Sequence, residues 1–453
     1  MATWLVEFGR KTIHSAMFKS MPVRVPARFR YPPDVFFLIG LAIALPMFEA
    51  PKNLLWGAWV ATWLLSRLKD GQWGGRWNRW DTLISAWIAS VLLSAVFAGA
   101  THNEWNACRD VIRYTSVLWL LTRSNYGEAA WKAIYGALMV SVVIAAAWAL
   151  AALAWPHEYL GIQLNSVGHV NHSVIYIVIC FGALLGALAN YWASLAIISR
   201  IGGVVGIVVL LIAVAIAGSR AAAVAVMVQA LALGAIWLRR SPLFLRCAVL
   251  CVGVFAALIV GFDTEIWRKQ GIVSETPHPV LGARYPIWNQ ALLEWRMHPV
   301  FGIGNSNFSQ LQQEDVQRWL VSRGESYSEG RYAKSSHAHS LYLNTLAERG
   351  LVGFTLLLLL LGAFAISLLR GLPRGSDPPL HWLLWCGGAS ALLTIAGIGV
   401  VNTTLHNEPG LLAMLLIGGW LGYRRQESAV ASTMIRKGRL EPRDLGVASG
   451  PSL

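Results

Sequence analysis

Apolar residues run through this chain in long blocks, broken by short polar or glycine- and tryptophan-containing stretches. Val35 to Ala50 is one such block, and Leu351 to Leu369, nearly all Leu, Ala, Phe and Gly, is another. Crossing a bilayer core takes about 20 mostly apolar residues in a helix. Runs of this kind, without strict apolar/polar alternation, predict spanning helices rather than a membrane β-barrel. The pattern predicts about twelve spans, at 35–50, 53–68, 82–100, 108–123, 130–155, 171–191, 201–218, 220–238, 243–262, 350–370, 381–400 and 408–424. The expected fold is therefore an all-α, polytopic membrane protein. One connection, 263–349, is far longer than a structural turn needs, so it is expected to contain helices and carry function.

Composition sharpens this picture. Hydrophobic residues make up 56% of the 453 residues and charged residues 13%, where a soluble domain carries roughly 25% charged. Mean hydropathy is +0.52. The net charge of +14 is explained by Lys and Arg gathered on one side of the predicted spans, which excludes a nucleic-acid reading. Arg10, Lys11, Lys19, Arg67, Lys69, Arg76, Arg79, Arg239, Arg240, Arg370 and Arg374 mark that side as cytoplasmic, together with both termini. The expected organisation is a cytoplasmic segment 1–34, nine spans over 35–262, a periplasmic loop 263–349, three spans over 350–424 and a polar cytoplasmic tail 425–453. The basic N-terminal segment has no long apolar core, so no cleavable signal peptide is expected. The five cysteines (Cys108, Cys180, Cys247, Cys251 and Cys386) form no paired framework, so neither a disulfide scaffold nor a zinc site is predicted.

Three helix starts on the outer side draw attention. Ser219 is a good N-cap for a helix beginning at Arg220. Unpaired N–H groups there favour anions, although an arginine reaching for lipid headgroups reads the same way. Arg284 opens a second helix, with Pro286 in its first turn and Trp288, Ala291, Leu292 and Trp295 on one face, a pattern suited to the membrane surface. An arginine at a positive helix end opposes the dipole, which makes it a candidate for function. The third start is Ser335-Ser336-His337-Ala338-His339-Ser340. Ser335 or Ser336 is expected to cap a helix on which His339, Tyr342, Leu343 and Leu346 share a face while His337 points elsewhere. Two histidines with no nearby carboxylate pair make a poor metal site, so a neutral histidine acting as general base is the sharper reading. Arg109 and Arg113 lie one turn apart at the outer end of the fourth span, with Asp110 between them. They are placed either to hold a phosphate or to order the bundle as an Arg–Asp pair. His169 and Asn171 lie in an outer polar segment that either contacts glycan or caps the sixth span.

These motifs extend along the chain: Ser219-Arg220; Arg284-x-x-x-Trp288, then His298-Pro299-x-x-Gly302-x-Gly304 and Asn307-Phe308; and His339-Ser340-x-Tyr342-Leu343 with Glu348-x-Gly350. In them, over roughly residues 200–424, the chain resembles the O-antigen ligase family and its wider superfamily of O-antigen polymerases and oligosaccharyltransferases. Ser340 stands where many members carry Asn. The resemblance implies an inner-membrane glycosyltransferase of lipopolysaccharide biosynthesis with its active site facing the periplasm. Its donor would be an undecaprenyl-pyrophosphate-linked glycan, its acceptor a sugar hydroxyl of lipid A–core, and it would use no cofactor or metal. It carries the functional arginines to Arg220 and Arg284 and the functional histidine to His339, the expected general base in an inverting transfer. His337, Tyr342, Arg109, Arg113, His169 and Asn171 are further candidate substrate contacts. The rival readings are an O-antigen polymerase, a protein O-oligosaccharyltransferase using the same donor, and a lipid-linked glycan transporter.

Overall fold

The computed structural model describes residues 31–99, 101–154, 161–238, 284–328 and 330–436, with a few positions between 249 and 256. Among them there are helices and no strands. In chain order these are α1 (Pro33–Ala44), α2 (Glu49–Asp70), α3 (Arg79–Phe97), α4 (His102–Thr122), α5 (Glu128–Ala152), α6 (Val170–Tyr191), α7 (Ile197–Ile216), α8 (Arg220–Trp237), α9 (Arg284–Met297), α10 (Gln313–Val321), α11 (Leu341–Arg370), α12 (Pro379–Ile398) and α13 (Asn407–Arg436). Their ends follow local chemistry. Pro33 and Pro379 occupy first turns, where a missing N–H does no harm. Asn78 caps α3 by accepting from Trp80 and Asp81, while Asp81 returns a contact to the Asn78 N–H. Gly71 ends α2 in the left-handed conformation.

Among the described residues, seven helices are long and apolar enough to cross a membrane: α3, α5, α6, α7, α8, α11 and α12. This is fewer than the twelve spans predicted, for identifiable reasons. At 12 residues, α1 is only about 18 Å long, short of a hydrocarbon core about 30 Å thick. The predicted span 243–262 lies almost wholly outside the described residues. Helices α2, α4 and α13 are long enough but carry ionisable residues, several of which meet inside the bundle. The last of these continues to Arg436, where the sequence predicts the span to end near 424.

Helices α6 and α12 form the centre, with 83% and 78% of their most apolar stretches buried, against 33% for α7 at the periphery. Helix α12 packs on α6 and α13, and α13 on α4; α1 packs on α2 and α5, and α3 on α4 and α11.

The segment 284–340 is fastened to this bundle at one joint. Helix α11 breaks at Gly350 (φ 60°, ψ −162°), which frees backbone groups on both sides. The chain around Gly302 takes them up. Leu351 and Val352 donate to Pro299 and Val300 (2.9 and 3.2 Å), and Ile303 and Gly304 donate to Ala347 and Glu348 (3.0 Å each). Phe301 stacks on Phe97 with centroids 4.2 Å apart. Asn305 donates to Val91 and accepts from Arg349, and Asn307 donates to Glu104 (2.9, 2.8 and 2.7 Å). Much of the glycine- and asparagine-rich motif is thus joint rather than chemistry. A Cβ on Gly302 (φ 75°) would stand 2.2 Å from the Glu348 carbonyl carbon. Gly302→Ala is therefore expected to destabilise the protein by about 2–4 kcal/mol. Thermal unfolding in detergent checks this against Gly324→Ala, which has the same positive φ with nothing within 4 Å.

Candidate active site

Four elements bring the predicted residues to one end of the bundle. At the first, Gly218 turns the chain with φ 66°, and Ser219 accepts from the Ala222 N–H, starting α8 at Arg220 as the sequence predicts. At the second, Arg284 opens α9. The buried side of α9 is Gln290, Ala291, Leu293 and Glu294, roughly one position off the predicted stripe, because the helix packs on α11. Leu292 remains exposed, with Trp288 and Trp295 half-buried. Burial, opposed by a hydrogen bond from Gln290, pushes the Glu294 carboxyl up to about 9, so α9 rests on a neutral acid.

The third element differs from expectation. The cap of α11 is Ser340, whose Oγ accepts from the Leu343 N–H, and not Ser335 or Ser336. His339 therefore precedes the helix and does not share its face with Tyr342 and Leu346. It adopts φ 47°, one of three positive values at non-glycine residues among those described; the others are Ser306 and Asn407. Such backbone strain commonly marks functional positions. The His339 ring packs 4.2 Å from that of His337, which contacts Ser336 Oγ at 2.9 Å. Tyr342 donates to the Ala396 carbonyl at 2.9 Å, tying α11 to α12.

The fourth element is the paired connections before α6 and α13. His169 caps α6 by accepting from the Asn171 N–H at 3.1 Å. Its ring lies 5.6 Å from His172, and His172 lies 5.5 Å from His406. His172 and His406 were not singled out as site residues from the sequence. His172 lies in the first turn of α6 and His406 directly precedes α13, and only the packing of α6 against α13 joins them. A buried ion network holds these connections in place. Lys52, 1% exposed, pairs with Glu49 and Glu408 and donates to Ser166 (3.1 Å to O, 2.9 Å to Oγ). Arg113 pairs with Asp110 at 2.9 Å, donates to Asn53 at 2.7 Å and lies 3.9 Å from Glu408, while Asp110 accepts from the Asn407 N–H. Arg113 is thus engaged in ordering the bundle; Arg109 is exposed on the same helix.

The electrostatics show which of these groups are neighbours. The Arg220 charge reaches Arg284: burial first, and then that charge, lower the Arg284 pKa. Burial, then the Arg284 charge, then His169, hold His339 below the usual histidine range, so it is neutral at pH 7. Burial and the charges of His339, His406 and His169 bring His337 down to about 4. The site is therefore a pair of permanent cations near His337 and His339, both held below the usual histidine range. No group of three or more His, Cys, Asp or Glu among the described residues is arranged to hold a metal ion.

The His337 shift has a consequence for stability. The unfolded chain takes its proton as pH falls through about 6.5, whereas the folded protein resists until about 4. Stability is therefore expected to fall across that window as pH drops, and His337→Gln is expected to flatten the fall. Thermal unfolding as a function of pH checks both.

Compared with known proteins, residues 205–358 match the family model described as O-antigen ligase. The matched segment includes Arg220, Arg284, His337 and His339, together with the Gly302–Gly350 joint. No curated protein matches the chain.

Proposed function

We propose that the chain, whose residues 205–358 match the O-antigen ligase family model, is a glycosyltransferase that moves a glycan from undecaprenyl pyrophosphate to a sugar hydroxyl of lipid A–core at the periplasmic face of the inner membrane. One juxtaposition supports the reading most: two helix starts, at Arg220 and Arg284, come close enough for the first arginine's charge to act on the second, and the second acts on His339, which is held below the usual histidine range.

Breaking the bond between the glycan's anomeric carbon and the pyrophosphate oxygen leaves negative charge on that oxygen. Arg220 and Arg284 supply fixed donors where this charge develops, and guanidinium geometry suits bidentate phosphate contacts. His339 takes the acceptor hydroxyl proton as the oxygen attacks the anomeric carbon opposite the leaving group, so the anomeric configuration inverts. His337, His169 and Asn171 would contact the acceptor or the glycan. In this reading no divalent ion takes part.

The test is transfer in detergent, with EDTA, from undecaprenyl-pyrophosphate glycan to lipid A–core by the purified protein. Formation of the glycan–lipid A–core conjugate with inverted linkage supports the proposal. Lengthening of the lipid-linked glycan instead would make the protein a polymerase. No covalent product with either acceptor, metal present or absent, would refute both the ligase and the polymerase readings.

A further inference from the structure

The end of the bundle opposite the histidines gathers a second set of arginines. Helices α2, α4 and α13 leave the Lys52–Glu408 and Asp110–Asn407 contacts and, roughly 20–25 Å further along at 1.5 Å per residue, reach Arg67, Arg123 and Arg425. Arg123 is 6% exposed and its donors are used. It pairs with Asp81 (Nε 2.9 Å, Nη2 2.8 Å), and Nη1 donates to the Trp73 and Gly75 carbonyls (2.6 and 3.2 Å). Asp81 is shared further, since it accepts the Trp119 indole N–H at 2.9 Å and the Asn78 N–H at 2.8 Å.

The other two arginines are less well matched. Arg67 lies 5.0 Å from the Trp63 ring and reaches the Arg123 carbonyl at 3.4 Å, but its Nε is buried with no acceptor among the described residues. Arg425 donates through Nη2 to the Arg76 carbonyl at 2.8 Å, while its Nη1 is likewise buried without an acceptor. Arg425 also lies close enough to Arg123 to feel its charge. Glu427, on the same helix, is paired with Arg424 and lies near His381. Arg123 is paired with Asp81, Arg425 feels the charges of both, and Arg67 reaches the Arg123 backbone carbonyl from α2, so the cluster gathers three guanidiniums beside one paired carboxylate, with two N–H groups lacking an acceptor among the described residues. Buried donors and excess cations of this kind are unfavourable unless an anion completes them.

An anion with several acceptor oxygens fits forked guanidinium donors, and phosphate is the common one. The surroundings indicate where that phosphate comes from. Trp73 and Trp77, 42% and 63% exposed, flank the cluster in the α2–α3 connection, and exposed tryptophans of this kind sit at the membrane–water interface, the level of lipid phosphates. We propose that Arg67 and Arg425, set against Arg123, form a binding site for a phosphate group, presented as the headgroup of an anionic phospholipid. Bound there, the phosphate bridges α2 and α13 at the end of the bundle away from the glycan site. This site does not depend on the proposed transfer reaction.

The test uses the full chain in detergent, with thermal unfolding followed as phosphatidylglycerol, phosphatidylcholine or inorganic phosphate is added. Phosphatidylglycerol is expected to raise the midpoint by about 2–4 °C, and phosphatidylcholine to have little effect. The Arg67→Gln/Arg425→Gln protein should lose that shift. Lys69→Gln/Arg79→Gln, which removes the same charge from exposed positions nearby, should keep it. An equal shift with inorganic phosphate, lost in the same variant, would keep the site and make free phosphate its source. A phosphatidylglycerol shift that survives in Arg67→Gln/Arg425→Gln, or one that phosphatidylcholine reproduces, would overturn the proposal. Should the double variant unfold too early to titrate, Arg425→Gln alone is read by native mass spectrometry. Retention of phosphatidylglycerol is expected to drop about tenfold, the scale of one lost charged hydrogen bond, and undiminished retention would overturn the proposal.

Discussion

Replacing His339 with asparagine is expected to slow glycan transfer by about 10²–10⁴-fold, the contribution of one positioned general base. Asparagine is the informative choice because of the backbone. His339 sits at φ 47°, where alanine pays a left-handed penalty but asparagine is tolerated. The variant therefore removes the basic nitrogen while leaving the turn into α11 intact, and thermal unfolding should stay close to wild type. The loss should fall on kcat, with KM little changed, because proton removal is needed only in the transition state. The wild-type rate should fall on the acid side below the ordinary histidine pKa of 6.5, since His339 is held under that value. The residual activity of the variant should lack this limb. His337→Asn, one ring away, is expected to cost much less. Equal losses in the two variants would remove the distinction between them, and an active His339→Asn protein would exclude His339 as the base.

The parts of this site that were legible in the sequence are the local ones. Ser219-Arg220 follows from a cap beside a long apolar run, and the structure places the helix start there. The apolar blocks likewise announced most helices, because crossing a bilayer demands length and hydrophobicity together. The misread helix start at 335–340 has a local cause with a non-local resolution. Several serines in that stretch have the chemistry of a cap, and Ser340 takes the role because Leu341 is anchored to the Gly399 and Asn402 carbonyls (2.7 and 3.0 Å). The boundary at Gly350 was legible, since the outer loop is expected to end and a span to begin there, but the docking of Pro299–Gly304 that satisfies the break was not. His172 and His406 lie more than 200 positions apart in the chain, and nothing local links them. The ion network around Lys52 explains why charged residues occur in α2, α4 and α13 at all. They satisfy one another and hold the connections that carry His169 and His406, so the helices that least resemble membrane spans position part of the site.

Arg284→Gln is expected to lower kcat by about 10²–10³-fold, the usual loss when one fixed donor to developing charge is removed. The same substitution should have a second effect that a merely structural arginine would not produce. The Arg284 charge disfavours the imidazolium form of His339 and so lowers its pKa. Without that charge the pKa rises toward 6.5, and the acid limb of the pH–rate profile moves to higher pH. At mildly acidic pH the variant therefore loses more activity, relative to wild type, than it does at neutral pH. Arg284→Lys separates the two effects. Lysine keeps the charge but not the planar fork, so the rate should fall while the acid limb stays close to its wild-type position. Folding is not the obstacle here, because α9 is held by Ala291, Leu293 and the neutral Glu294 rather than by Arg284. If the acid limb stays in place in Arg284→Gln, its charge does not act on the catalytic proton, and the arginine's role reduces to binding. If the limb moves and kcat does not fall, Arg284 tunes the base while Arg220 alone meets the leaving pyrophosphate.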